Sequence, residues 1–453
     1  MSQSQDLGKE AIKPLLVKMA VPASIGILVM SIYMIVDTIF VGRYVGSMGI
    51  AAVSVVMPII FLISSIGMSI GVGGASVISR ALGAGDRPKA LRTFGNQITL
   101  TSLIATFVVF VGSFYQEAIL DLFGGKGAIL APAKAYFQIL LIGIPFLAFA
   151  MMSNNVIRAE GRPKIAMTNM LVPAIFNLIL DPIFIVGLEM GIEGAAWATT
   201  LSYIASASYS TWFFFFGGSE LKIKWSDLWL NLVLIKEIFA IGIVTFARQG
   251  TVSLLTIILN NSLFAYGGEL SVSTYGIISR LMMFANFPVL GITQGFIPIA
   301  GFNYGAEQWE RVREVIRVAI RYGTALALII FSGLMIFTEP LVSVFTTDTA
   351  LIEQCTPAMR KVFLAMPVIT VHLIGSAYFQ AIGKAIPALL LTLTKRGFFL
   401  IPLILILPTF FQLEGIWYSF VIADCSAAAV TYWYLKKEMT ATLDQMIEQE
   451  SPV

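Results

Sequence analysis

Asp37 stands in the run MSIYMIVDTIFVG, an acid inside the first stretch of the chain that is long and apolar enough to cross a membrane. A charge at the centre of a bilayer costs at least about 2.5 to 3.5 kcal/mol, so it persists where it faces a cavity and has work to do. A second acid, Asp181, lies in FNLILDPIFIVG of the fifth apolar stretch. Pro182 follows it, and a proline there removes a backbone donor and frees carbonyls one turn back. Counted from the stretch ends, both acids fall in the outward half of the membrane, so they are expected to share one cavity. Two neighbouring carboxyls in a poorly hydrated site do not both ionise readily. One of them then holds a proton under working conditions, which is what a proton carrier needs. Tyr33 lies one turn before Asp37 and Asn177 one turn before Asp181, each on the face of its acid. The competing reading is local: Asp181 satisfies backbone groups freed at Pro182, and Asp37 caps its helix.

The elements that must position these side chains are membrane helices. Of 453 residues, 57% are hydrophobic and 12% charged, against about 25% charged in soluble domains; the mean hydropathy is +0.86. Apolar runs near the bilayer-spanning length recur between short polar or Gly/Pro breaks, and alternating barrel strands do not appear. The expected fold is an all-α integral membrane protein of twelve transmembrane helices, centred near Ile27, Ile63, Thr101, Ile144, Ile175, Ala205, Thr251, Ala285, Ala327, Val368, Leu400 and Ala427. The polar opening MSQSQDLGKE argues against a removable signal peptide. Cys355 and Cys425 lack metal spacing and read as free thiols. A net charge of +3 without a basic stripe offers no nucleic-acid footprint.

Lys and Arg concentrate in alternate loops: Arg80, Arg87, Lys89 and Arg92; Arg158, Arg162 and Lys164; Lys222, Lys224 and Lys236; Arg311, Arg313, Arg317 and Arg321; and Lys436 with Lys437. Basic loops stay cytoplasmic, so both termini are expected there. The chain also repeats itself. Gly83 pairs with Gly305, Gly161 of RAEGRPK with Gly383 of QAIGKAIP, and Glu193 with Glu414, at offsets of 222, 222 and 221 residues. An even number of spans per half makes this a parallel repeat, two six-helix bundles related by a pseudo-two-fold axis along the membrane normal. The expected organisation is a first lobe over 1–216, a linker over 217–236 with interfacial Trp225 and Trp229, a second lobe over 237–440 and a tail over 441–453. Two such lobes suit alternating access.

The tyrosine-to-aspartate spacing of YMIVDTIFVG, the order RAEG then LDPIFI, the GIEGAAWAT segment and the duplicated loops resemble the multidrug and toxic compound extrusion (MATE) exporters, most of all the prokaryotic DinF-like branch. The resemblance runs from about Lys13 to Lys437. It implies a cation-coupled antiporter of the cytoplasmic membrane, not an enzyme, that exports amphipathic and often cationic drugs as a monomer among membrane lipids and without a cofactor. It implies Asp37 as the coupling acid, Tyr33, Asn177, Asp181 and Thr199 as hydrogen-bonding companions, and Asn154 facing the substrate cavity. Other branches place acidic sodium ligands in spans 7 and 10, where this chain has Arg248 and His372. Protons are therefore favoured over sodium, with coupling confined to the first half. The second half offers Asp424 as an intramembrane acid and carries Arg248, Arg280, Lys395 and Arg396. His372 is the one histidine and reads either as a hydrogen-bonded packing residue or as a group titrating near neutrality. Met34, Met57, Met151 and Met282 are candidates for an adaptable cargo surface. The rival cargo is a lipid or lipid-linked sugar, whose phosphate would suit the bases of the second half.

Overall fold

A computed structural model describes residues 3–443; the last ten residues of the expected tail lie outside the described residues. Among the described residues there is no strand. The membrane helices are α1 (Ile12–Val45), α2 (Met48–Gly83), α3 (Arg87–Phe114), α4 (Gly127–Ala159) and α5 (Pro163–Gly187). α6 (Gly191–Phe215) follows, rich in Ala, Ser and Thr. The continuous helix Leu232–Gly305 breaks at Gly268, where φ is +63°, into α7 (232–267) and α8 (269–305). α9 (Trp309–Ile336), α10 (Thr349–Ala381), α11 (Ala385–Ile406) and α12 (Pro408–Ala441) complete twelve. Every expected span centre falls inside its helix.

The repeat is written in the backbone as well as in the residues. Left-handed positions recur 222 residues apart at Gly46 and Gly268, Gly85 and Glu307, and Gly161 and Gly383. Each follows a helix end or a kink, where a positive φ turns the chain and exposes carbonyls for capping. Asp86 begins α3 by accepting a hydrogen bond from the Lys89 amide at 3.0 Å.

The chain forms two compact units, residues 1–7 with 25–245 and residues 8–24 with 246–453. The stretch 217–236 thus belongs to the first unit, and the opening of α1 through Ser24 to the second. In the first unit α2 runs along α4 so closely that a Cβ on Gly67 would stand 2.8 Å from the Ala148 carbonyl oxygen. Its core is built from Ile59, Ile63, Phe137, Leu140 and Ile144 at one level and from Ile70, Phe94, Met152, Ile157 and Phe213 at another. Burial of such side chains on helices whose other faces, such as Phe107, Phe110 and Phe114 of α3, remain exposed is the pattern of helices packed in lipid. The second unit packs Leu259, Leu263, Ile278, Met359, Phe363, Ile404, Trp417 and Phe420 together. Cys355 is buried and Cys425 exposed, and neither is bonded to the other.

Residues 217–231 are pinned to the first unit by side chains of α3. The Asn96 amide donates to the Trp229 carbonyl at 3.2 Å and accepts from the Asn231 amide at 2.7 Å, and the Thr99 hydroxyl donates to the Leu228 carbonyl at 2.8 Å. Gly95 permits this approach, since a Cβ there would meet the Asp227 carbonyl oxygen at 2.2 Å. Trp225 and Trp229 point away, 87% and 80% exposed, as side chains destined for a membrane interface do.

Candidate functional site

Four helices of the first unit converge on one polar cluster. α1 supplies Tyr33 and Asp37, α4 Tyr136, α5 Asn177 and Asp181, and α6 Thr199 and Tyr203. Asp37 is 4% exposed and Asp181 1%. Their carboxyl groups come within hydrogen-bonding reach of each other. Each nevertheless retains a buried oxygen with no donor. Two carboxylates have no proton to share, whereas one carboxyl and one carboxylate satisfy both groups with a single hydrogen bond. The Asn177 amide donates to the Thr199 hydroxyl at 3.3 Å, and the Tyr136 hydroxyl stands close to that same group. Tyr33, Tyr136 and Tyr203 stand within electrostatic range of Asp37, and the first two also of Asp181.

The backbone beside both acids is unusual. Asp37 lies one turn before a π-helical segment, Val41–Val45, and Asp181 immediately before another, Pro182–Gly187. The two segments pack against each other. Pro182 cannot donate an amide hydrogen, so wider i→i+5 bonding takes over, as with Leu188 donating to the Ile183 carbonyl at 2.8 Å. Such bulges rotate the side chains that precede them out of regular register, and they concentrate at functional sites.

Of the residues singled out from sequence, Asp37, Asp181, Tyr33, Asn177 and Thr199 meet in this cluster. Asn154 does not. Its amide donates to the Ala166 carbonyl at 2.7 Å and its oxygen accepts from Arg158, fastening α4 to the start of α5. Met34 is half-buried on α1 near the cluster; Met57 and Met151 lie against the first unit's core and Met282 against the second's. Tyr136 and Tyr203 were missed. Tyr203 follows Thr199 by one turn and so was legible as a same-face residue, whereas nothing in LAPAKAYFQ marks Tyr136.

At the other end of α4, Glu160 of RAEGRPK is fully buried just beyond the helix. One of its oxygens accepts from the Ser219 hydroxyl at 2.6 Å and from the Leu221 amide at 3.0 Å; the other has no partner. Burial pushes its carboxyl up to about 7, against the lowering pull of those two hydrogen bonds.

In the second unit, Lys395 and Asp424 form an ion pair at 2.5 Å. His372 is buried with Nδ1 3.1 Å from the Thr431 hydroxyl, bridging α10 and α12. Arg280 is exposed, so it is not one of the buried bases that the sequence suggested.

The MatE family model matches the chain twice, over residues 22–183 and 243–406, one match per half. The Multidrug export protein MepA of Staphylococcus aureus (strain NCTC 8325 / PS 47) is 28% identical over 432 residues, covering 95% of each chain. The protein of the same name from Staphylococcus saprophyticus is 26% identical over 434 residues with equal coverage. A crystal structure of MATE in the bent conformation superposes with a TM-score of 0.93 at 25% identity, covering 99% of both chains. The outward-facing conformation of a multidrug resistance MATE family transporter of the MOP superfamily superposes at 0.91 and 25%, covering 97% of this chain and 98% of that one.

Proposed function

Because the chain belongs to the MatE family of multi-pass membrane transporters, we propose that it is a multidrug exporter driven by protons, with both termini in the cytoplasm. The carried proton sits on the Asp37 and Asp181 pair. The observation that supports this most is the pair itself: two buried acids in reach of each other, each with an oxygen lacking a donor, which one proton satisfies.

In the outward-facing state water reaches the pair and a proton binds. The negative charge of the cluster falls by one, the tyrosine and Asn177–Thr199 contacts rearrange, and an amphipathic, cationic cargo loses the anion that held it. Return to the inward-facing state releases the proton to the cytoplasm. Each charge moved across the membrane brings about 2.3 kcal/mol per 100 mV, enough to bias two states a few kcal/mol apart. The half-buried methionines and tyrosines give cargo a polarizable surface that accepts many shapes.

A second reading has one observation in its favour. The Asn177 side-chain oxygen is a third buried acceptor without a donor, and hard cations such as sodium take oxygen ligands. Efflux from energised vesicles separates the two. An imposed pH gradient without sodium drives export if the proton reading is right; an absolute sodium requirement overturns it. Asp37→Asn should insert normally and fail to export under either ion.

A further inference from the structure

Lys395 and Arg396 sit midway along α11, about 15 Å from either end at 1.5 Å per residue. They lie in a third π-helical segment, Thr394–Leu400. Arg248 of α7 and Asp424 of α12 lie at comparable depth in their own helices. The four form one cluster inside the second unit. Lys395 is paired with Asp424 at 2.5 Å, with only 13% and 8% of the two side chains exposed. Arg396 acts electrostatically on Arg248, on Tyr275 of α8 and on His372 of α10, and feels the charge of Asp424. Three cations thus face one carboxylate.

Neither the Arg248 nor the Arg396 guanidinium has a hydrogen-bond or ion-pair partner among the described residues, and both are half-buried rather than sealed. Repulsion between them is uncompensated, because the one acid in range is taken by Lys395. His372 adds no anion, being hydrogen-bonded to Thr431. Unpaired cations at mid-membrane depth persist where an anion or water occupies the space between them. Two guanidiniums are the side chains best shaped to grip a planar or tetrahedral oxyanion with paired hydrogen bonds.

We propose that this cluster of the second unit receives the anionic end of an amphiphile, a phosphate or a carboxylate, held by Arg248 and Arg396. Lys395 stays committed to Asp424 and supplies field rather than contact. The site is separate from the acid pair, so the protein would handle zwitterionic or anionic amphiphiles as well as cations.

The test is binding alone, without any gradient, to the purified full-length protein in a non-ionic detergent. The probes share one tail: dodecyl phosphate, dodecyl alcohol and dodecyltrimethylammonium. Wild-type protein should bind the phosphate at least tenfold more tightly than the alcohol; equal affinity overturns the proposal whatever any variant does. Arg248→Gln with Arg396→Gln should weaken the phosphate at least tenfold and leave dodecyltrimethylammonium within twofold, while Arg248→Lys with Arg396→Lys retains part of the phosphate preference. Unchanged phosphate binding in the glutamine variant, or equal loss of both probes, refutes the site. Competition by phosphatidylglycerol identifies a lipid headgroup as the source of the anion, and absence of competition identifies a freely dissolved amphiphile; either supports the shared chemistry. Proton coupling is read separately, as cation efflux under an imposed pH gradient, whereas this assay uses no gradient, so failure here and failure of proton coupling are distinguishable.

Discussion

Replacing Glu160 by glutamine should make the protein more stable at neutral pH and erase part of its pH dependence. The carboxyl titrates near 7 in the folded chain against an ordinary value of 4.5. Each tenfold difference in proton affinity is worth 1.36 kcal/mol, so the ionised form costs the fold about 3 kcal/mol. The sign follows from which state holds the proton. Between pH 4.5 and 7 the folded protein binds it and the unfolded chain does not, so stability is full below 4.5, falls as pH rises through 7, and is level above. Glutamine keeps an oxygen to accept from Ser219 and Leu221 but puts an amide where Glu160 has an oxygen without a partner. Leaving that amide unsatisfied returns on the order of 1 kcal/mol. The expected gain at pH 8 is therefore about 2 kcal/mol, a rise in Tm on the order of 2 °C for a chain of this length, and at pH 4.5, where the wild type has regained its full stability and only the unsatisfied amide counts, the variant should melt about 1 °C below it. Thermal unfolding in detergent from pH 4.5 to 8 measures this as the difference between the variant and the wild type, in which other titrating groups cancel. Parallel curves across that range would refute the reasoning, because they would mean that Glu160 is either hydrated or already neutral when folded and unfolded alike.

Other outcomes follow from neighbouring geometry. Tyr136→Phe removes a hydroxyl close to Thr199 and to the acid pair; the protein should still export, with the pH of half-maximal vesicle efflux displaced, and an unmoved profile would remove Tyr136 from the network. Asp37→Asn should reduce efflux at least tenfold, on the order of the loss expected from deleting a proton carrier, and drug resistance at the wild-type level in expressing cells would count decisively against the coupling scheme. Gly95→Ala puts a methyl into the Asp227 carbonyl, costing about 1 to 3 kcal/mol and freeing residues 217–231 for proteolysis; resistance to protease at the wild-type level would show that the contact is dispensable. Lys395→Met alone strands Asp424 and should destabilise by about 3 to 5 kcal/mol, whereas Lys395→Met with Asp424→Leu should recover most of it; additive losses in thermal melts would deny the pairing.

What was legible in the sequence was whatever a membrane makes expensive. Asp37 and Asp181 stood out because an acid in an apolar run has a cost, and the repeat showed in part because a left-handed turn restricts Gly161 and Gly383 to few residue types. Tyr33, Asn177 and Thr199 were placed by helical spacing together with the family resemblance. Tyr136 was invisible because a tyrosine in an apolar run is ordinary, and its role depends on which way α4 is turned. The π-helical segments beside Asp37, Asp181 and Lys395 were hidden for another reason. Pro182, and Pro402 two residues past the third segment, announce a break in bonding; nothing local in VGRYV does so. Arg280 misled because sequence shows depth along a helix but not which side faces out.

The two halves share their turns but not their charges. The offset of 222 residues preserves left-handed positions at Gly46 and Gly268 and at Gly161 and Gly383, so the backbone constraint survives duplication. It does not carry Asp37 to an acid: the equivalent position is Leu259, wholly buried in the second unit's apolar core. Asp181 maps to Leu403, which packs against that same core. With no acid pair to hold a proton, the second unit's polar interior is free to be cationic, and at Arg248, Lys395 and Arg396 it is. A proton binding in the first unit and an oxyanion binding in the second would then alter the two lobes in opposite electrical senses. Cargo charge therefore need not match the charge of the coupling ion.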